Sequence, residues 1–183
     1  MRIESLPLAG AAVVHAEPRE DARGRFARLF CQEELRELNG GRAIQQVNLS
    51  LTRQAGAIRG LHFQRAPMAE DKAVRCLRGR VLDVLVDLRR GSVTFGQWCG
   101  VELSAATMNM VYIPRGFAHG FQTLEPDCEM LYLHTEFYSP EHEGGIRFDS
   151  PGLGIRWPLP ISGISPRDQA LPVFRTNCEG TAL

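Results

Sequence analysis

The sequence predicts an all-β protein, an antiparallel sandwich or barrel, on three observations. Strand-like runs succeed one another at short, regular spacing: Ile44 to Leu51, Ala73 to Leu77, Val81 to Leu88, Gln97 to Leu103, Met110 to Ile113, Gly120 to Leu124 and Cys128 to Thr135. Breakers separate them, among them Arg78-Gly79-Arg80, Arg90-Gly91-Ser92, Pro114-Arg115-Gly116 and Glu125-Pro126-Asp127. Helix-forming stretches between the runs are nearly absent, which argues against a parallel sheet, because parallel strands need long crossovers.

The flanking elements read as follows. Residues 1 to 14 form a strand pair around Ala9-Gly10, and Asp21-Ala22-Arg23-Gly24 is a turn leading into Phe26 and Phe30. Gln32 to Leu38 is the one good helix-forming run of the first half, ended by Asn39-Gly40-Gly41 as a left-handed cap. Beyond Ser139 the chain is rich in Pro and Gly and loses its period. Ser165-Pro166-Arg167-Asp168 then spells a helix start, with Ser as cap, Pro in the first turn and an acid at the third position. Poor order is expected from Phe174 to Leu183.

Composition bounds the function. At 183 residues and 44% hydrophobic, a single domain over 1–183 is expected, its N-terminal strands and C-terminal tail peripheral to the barrel. The 21 basic and 21 acidic side chains cancel, so no global field points to nucleic acid or a membrane, and a bound anion must meet a local site. Cys31, Cys76, Cys99, Cys128 and Cys178 are widely spaced without a Cys-x-x-Cys pair, neither a disulfide framework nor a zinc knuckle. With no apolar signal core and no membrane-length apolar run, a cytoplasmic protein is the expectation.

Two His-bearing motifs bracket the strand-rich centre: Arg59-Gly60-Leu61-His62-Phe63-Gln64 and Pro114-Arg115-Gly116-Phe117-Ala118-His119-Gly120-Phe121. From the residues alone each candidate has two readings. His62 suits a structural strand histidine as well as a base, and Asp168 suits a helix-cap acid. Tyr132, in the apolar run Met130-Leu131-Tyr132-Leu133, suits packing or chemistry. Arg23 and Arg59 suit solvated surface. Asp83 either orients Lys72 or His119 or faces water near a turn. Trp98 and Trp157 read as core.

Gly60-x-His62-x-Gln64, Glu70 and Pro114-x-Gly116-x-x-His119 resemble the two motifs of the cupin superfamily, whose metal-binding members take two His and a carboxylate from the first and a third His from the second. Here Gln64 replaces the second His, and the Lys72 ammonium repels a cation and cannot ligate while protonated, so no metal is expected.

A more specific resemblance covers about Asp21 to Asp168. Arg59-Gly-Leu-His62-Phe-Gln, Asp71-Lys72, Val84-x-Val86-Asp87-Leu-Arg89, Phe95-Gly96-x-Trp98, Ile113-Pro114-x-Gly-Phe-Ala-His119-Gly-Phe121, Tyr132-x-x-Thr135-x-x-Tyr138-x-Pro140 and Gly154-Ile155-x-Trp157-Pro158 resemble the dTDP-4-dehydrorhamnose 3,5-epimerase family. The resemblance implies a cupin-like double-stranded β-helix (jelly roll) with a few short helices. It implies a homodimer working without cofactor or metal on a nucleotide-diphospho-4-keto-6-deoxy sugar. In that chemistry the C4 ketone acidifies the protons at C3 and C5; removal of one gives an enolate, and reprotonation from the opposite face inverts the carbon. On matching positions, His62 is the base, Asp168 its carboxylate partner, Tyr132 the acid on the other face and Lys72 the cation beside the enolate oxygen. Arg23, Gln46, Val47, Asn48, Arg59, His119, Tyr138, Glu143 and Arg167 match substrate-binding positions.

The sequence departs from the family pattern at two places that touch the nucleotide. Arg19 stands where an aromatic stacks on thymine from the partner subunit, and Arg28 stands where a Glu contacts the nucleotide. Arg167 keeps the charge of a common Lys, and Leu133 loses one. The base is therefore open. So are a C3-only or C5-only epimerase or isomerase on a non-thymidine sugar and a cupin that binds a nucleotide sugar without catalysis; a metal-dependent oxygenase ranks last.

Overall fold

The computed structural model describes residues 1–175. It is an all-β jelly roll of two facing antiparallel sheets with two short helices. The first sheet has the order β1-β2-β10-β7-β12-β5 and the second β13-β6-β11-β8-β9; β3 and β4 form a separate hairpin. The strands are β1 (Arg2–Ser5), β2 (Ala12–His15), β3 (Arg19–Asp21), β4 (Gly24–Phe26), β5 (Gln46–Thr52), β6 (Ile58–Gln64), β7 (Lys72–Arg78), β8 (Arg80–Asp87), β9 (Trp98–Ser104), β10 (Met110–Ile113), β11 (Phe117–Thr123), β12 (Cys128–His134) and β13 (Glu143–Gly145).

Between the sheets, alternate residues from both sides meet in one core. Val74, Cys76 and Met130 come from the first sheet, and Leu85, Leu103 and Phe121 from the second. The outer faces are covered as well. Ala73, Met110 and Leu133 pack under Leu35 and Leu38, while Leu61, Val84, Val86 and Ala118 pack under Ile146, Leu153 and Phe174. Strands buried on both faces lose the polar–apolar alternation, which is why β11 is buried throughout.

Most expected strands form within a residue or two. The helix of the first half is shorter than expected. Only Arg36–Asn39 (α1) is helical, because Leu35 at its start offers no side-chain cap, while Gly40 closes it at φ 61° in the expected left-handed cap. β11 starts at Phe117 rather than Gly120, directly after Gly116 turns the chain at φ 83°. β6 lies outside every predicted strand. Phe174, expected to be poorly ordered, is 3% exposed with its ring 6.0 Å from that of Phe95; residues 176–183 lie outside the described residues. Trp98 and Trp157 are half-buried against the second core, as read.

Two glycines explain how β6 and β11 come together. A Cβ on Gly120 would lie 2.5 Å from the Arg59 carbonyl oxygen, and one on Gly60, at φ +119°, would lie 2.6 Å from Gly120 Cα. Only paired glycines permit that approach. It sets the register that places His119 opposite His62.

Candidate active site

The inward rows of the jelly roll change character along their length. On β12, Cys128 and Met130 belong to the core, and continuing the same two-residue period brings Tyr132 and His134. On β7, Cys76 and Val74 are followed inward by Lys72. Where the rows turn polar the barrel opens into a cavity of about 560 Å³, lined by β5, β6, β7, β11, β12 and the second helix α2 (Pro166–Gln169). That volume suits a small ligand rather than a macromolecule.

His62 and Asp168 meet here although 106 residues apart, with Nε2 2.7 Å from Oδ1. Asp168 is doubly held: its Oδ2 accepts the Gly60 amide at 3.2 Å and its own amide donates to Ser165 Oγ at 3.0 Å. Ser165 thus caps the helix through the Asp168 amide, leaving the Asp168 carboxylate for His62 and Gly60. Burial alone would raise its pKa, but the bonds from His62, Gly60 and Ser165 and the nearby imidazole hold it below the usual carboxylate range. An ionised Asp168 accepts the hydrogen bond from Nε2–H and leaves the Nδ1 lone pair of His62 as its basic nitrogen.

His119, across the ladder, gives Nε2 to Asp83 Oδ2 at 2.7 Å, so Asp83 orients His119 rather than facing water. Tyr132 lies beside them, its ring edge-on to His119 with centroids 6.5 Å apart and its hydroxyl 2.9 Å from Ser50 Oγ. Burial pushes the phenol up to about 12, so at neutral pH it holds its proton. Lys72 Nζ lies 3.0 Å from Glu70 Oε1.

Toward the rim, Arg59 Nε donates to Thr52 Oγ1 at 2.9 Å. Glu143 accepts from Tyr138 Oη at 2.7 Å and pairs with Arg167. Burial opposes ionisation of Glu143, but Arg167 and Tyr138 hold its carboxyl below the usual range. Gln46 and Asn48 line the cavity. Val47, expected with them, does not: side chains alternate along a strand, and Val47 is turned outward and 57% exposed. Arg23 is not brought here either; it lies on the β3–β4 hairpin, 90% exposed and paired with Asp21 at 2.6 Å. Arg19 and Arg28 line a second cavity of about 350 Å³, where Arg28 pairs with Glu34.

Gln64, in the place of a metal-binding histidine, clamps a loop. Its Oε1 accepts the Ser139 amide at 2.7 Å and its Nε2 donates to Met68 O at 2.9 Å and Phe137 O at 3.1 Å. Among the described residues no cluster of His, Cys, Asp or Glu has metal-binding geometry. Sequence reasoning passed over Ser50, Thr52 and His134. The signal was present: the two-residue period that carries Gln46 and Asn48 continues to Ser50 and Thr52, and Tyr132 is followed two positions later by His134.

The family model of dTDP-4-dehydrorhamnose 3,5-epimerase matches residues 5–176. The chain is 40% identical over 173 residues to the dTDP-4-dehydrorhamnose 3,5-epimerase of Sinorhizobium fredii, covering 94% of this chain and 89% of the relative. Two solved structures share the fold closely. One is the dTDP-6-deoxy-D-glucose-3,5-epimerase of Legionella pneumophila in complex with dTDP-4-keto-L-rhamnose, with TM-score 0.88, 37% identity and coverage of 94% of this chain and 92% of that one. The other is ChmJ, a 3'-monoepimerase from Streptomyces bikiniensis in complex with dTDP-quinovose, with TM-score 0.87, 35% identity and coverage of 93% and 86%. Sequence, fold and cavity agree: the chain belongs to the dTDP-4-dehydrorhamnose 3,5-epimerase family.

Proposed function

We propose that this chain inverts C3 and C5 of a dTDP-linked 4-keto-6-deoxy sugar by proton transfer within its jelly-roll cavity. One observation carries the reading: His62, Tyr132 and Lys72 line the same cavity on three different strands. Nδ1 of His62 removes the proton from the carbon next to the ketone, and Asp168 stabilises the imidazolium that results. The Lys72 ammonium faces the C4 oxygen as it becomes an enolate, where a fixed charge in a water-poor pocket contributes about 10²–10³-fold. Tyr132, which burial keeps protonated at neutral pH, returns a proton from the opposite face. Arg59, Arg167, Gln46, Asn48, His119, Tyr138 and Glu143 hold the nucleotide diphosphate and sugar.

A homodimer accounts for the residues this cavity leaves out. β5 is an edge strand whose outward Val47, Leu49 and Leu51 are 57%, 62% and 41% exposed. An apolar strand edge of this kind is a pairing surface for a second copy. Across such an interface the β3–β4 hairpin with Arg19 and Arg23 reaches the partner's ligand. The four described cysteines are all free, which suits the reducing cytoplasm. No helix among the described residues is long and apolar enough to cross a membrane.

The test is solvent exchange. Incubated with dTDP-4-keto-L-rhamnose in deuterated water, the wild-type protein should label C3 and C5, and His62→Asn should label neither while still binding dTDP. Label at both carbons in His62→Asn removes His62 from the role of base. Likeness to a 3'-monoepimerase favours one second reading, inversion at C3 alone; label confined to C3 in the wild type would establish it.

A further inference from the structure

Lys72 and His134 occupy paired positions on neighbouring strands β7 and β12, where two groups able to carry positive charge oppose each other. Glu70 stands between them. Its Oε1 lies 3.0 Å from Lys72 Nζ and its Oε2 2.7 Å from His134 Nδ1. The three side chains are nearly out of water, at 6% exposure for Glu70, 12% for His134 and 13% for Lys72. Burial works against an ionised Glu70, yet the His134 bond and the Lys72 charge keep its carboxyl below the usual range.

An ionised Glu70 accepts at both oxygens, so His134 donates a hydrogen bond to it from Nδ1–H and keeps Nε2 as an acceptor. Asn48 Nδ2 faces that lone pair at 3.4 Å. Asn48 Oδ1 accepts from Gln46 Nε2 at 3.2 Å, and Gln46 Oε1 accepts the Tyr138 amide at 3.1 Å. The ring of His134 lies near-parallel to that of Tyr132, at 21° with centroids 6.2 Å apart. A continuous chain of hydrogen bonds thus runs along the cavity wall from Lys72 through Glu70, His134, Asn48 and Gln46 to Tyr138.

Building on the epimerase reading above, we infer that His134 is a positioning residue: by holding one oxygen of Glu70 it prevents that carboxylate from closing on Lys72 with both, and so keeps the ammonium directed at the sugar carbonyl. Without His134, Glu70 Oε2 is a buried acceptor with no partner, and the donor left on that carboxylate is Lys72. A two-oxygen pair draws Nζ back and quenches the charge the enolate needs. The loss falls on the transition state rather than on nucleotide binding.

The experiment compares wild type, His134→Ala, Glu70→Gln and the double variant by deuterium incorporation into dTDP-4-keto-L-rhamnose, with the Kd for dTDP measured on the same preparations. The expected result for His134→Ala is a kcat for exchange lowered by roughly tenfold or more, a Kd for dTDP within about twofold of wild type, and partial recovery with added imidazole. The double variant should be no slower than the slower single one, because the two residues act as a unit. An unchanged kcat in His134→Ala, a fall in kcat matched by an equal loss of dTDP affinity, or additive losses would each overturn the inference. If His134→Ala does not fold, His134→Asn carries the test: its amide still donates to Glu70, so kcat should stay within about threefold, and a larger loss counts against the inference. Absence of exchange in the wild type is a separate outcome, which overturns the proposed function itself.

Discussion

His62 and His119 sit opposite each other across β6 and β11, and each ring places its Nε2 2.7 Å from a different carboxylate, Asp168 for His62 and Asp83 for His119. The two pairs are not equivalent. His62 is 29% exposed to the cavity and His119 6%. Burial holds the Asp83 carboxyl above its ordinary range despite His119 and Lys72, and its Oδ1 is buried without a partner. Asp168 is held below that range. The dyad whose acid ionises more easily is the one better able to stabilise a newly formed imidazolium, which supports the proposal of His62 as the base and of His119 as a fixed hydrogen-bonding wall.

Asp168→Asn tests that division. The neutral amide no longer stabilises the charged ring, and exchange should slow by about 10²-fold or more with little change in dTDP affinity. Stability provides a second readout. A carboxyl with a depressed native pKa contributes stability that is present above its unfolded value near about 4 and is lost as the pH falls through the native value. Asp168→Asn removes that contribution, so its unfolding free energy should vary less steeply with pH below about 4 than that of the wild type. Parallel pH profiles for the two proteins would mean that Asp168 is not held ionised by His62.

The register that pairs the two histidines depends on Gly60 and Gly120, and Gly120→Ala should break it. Its methyl would meet the Arg59 carbonyl at 2.5 Å and Leu61 Cδ2 at 2.7 Å, and the first of these is backbone that cannot swing aside. Overpacking of this kind costs about 1–3 kcal/mol, or roughly 2–12 °C in the thermal midpoint for a chain of this size. Exchange should fall as well, because the shift moves His62 relative to Tyr132. A midpoint and a rate equal to wild type would refute the close approach of the strands.

The strands were legible where Gly, Pro and Asp punctuate them, and Met110–Ile113 came out with both ends correct. β6 was not, because Gly60 interrupts its pattern and the strand is justified only by its partner β11. The site was legible as residue types and much less as geometry. Ser165 and Asp168 announce a helix cap locally, but the bond from Asp168 to His62 spans 106 residues, and no spacing rule reaches so far. The Glu70–His134 bond spans 64 residues and was hidden for the same reason. Val47 was carried along with its neighbours until strand alternation turned it outward.

Tyr132→Phe separates proton removal from inversion. The substitution keeps the ring, and with it the contacts to His119 and His134, while deleting the hydroxyl that meets Ser50. His62 can still form the enolate and take its proton back on the same face, so deuterium should continue to enter the sugar while epimerised product falls by about 10²-fold. Burial, which pushes the phenol up to about 12, adds a constraint on the wild type: the protonated form persists to about pH 10, so no loss of inversion between about pH 8 and 10 should trace to Tyr132. Loss of exchange and inversion together in Tyr132→Phe would mean that the phenol acts in forming the enolate, and the two-face assignment would have to be abandoned.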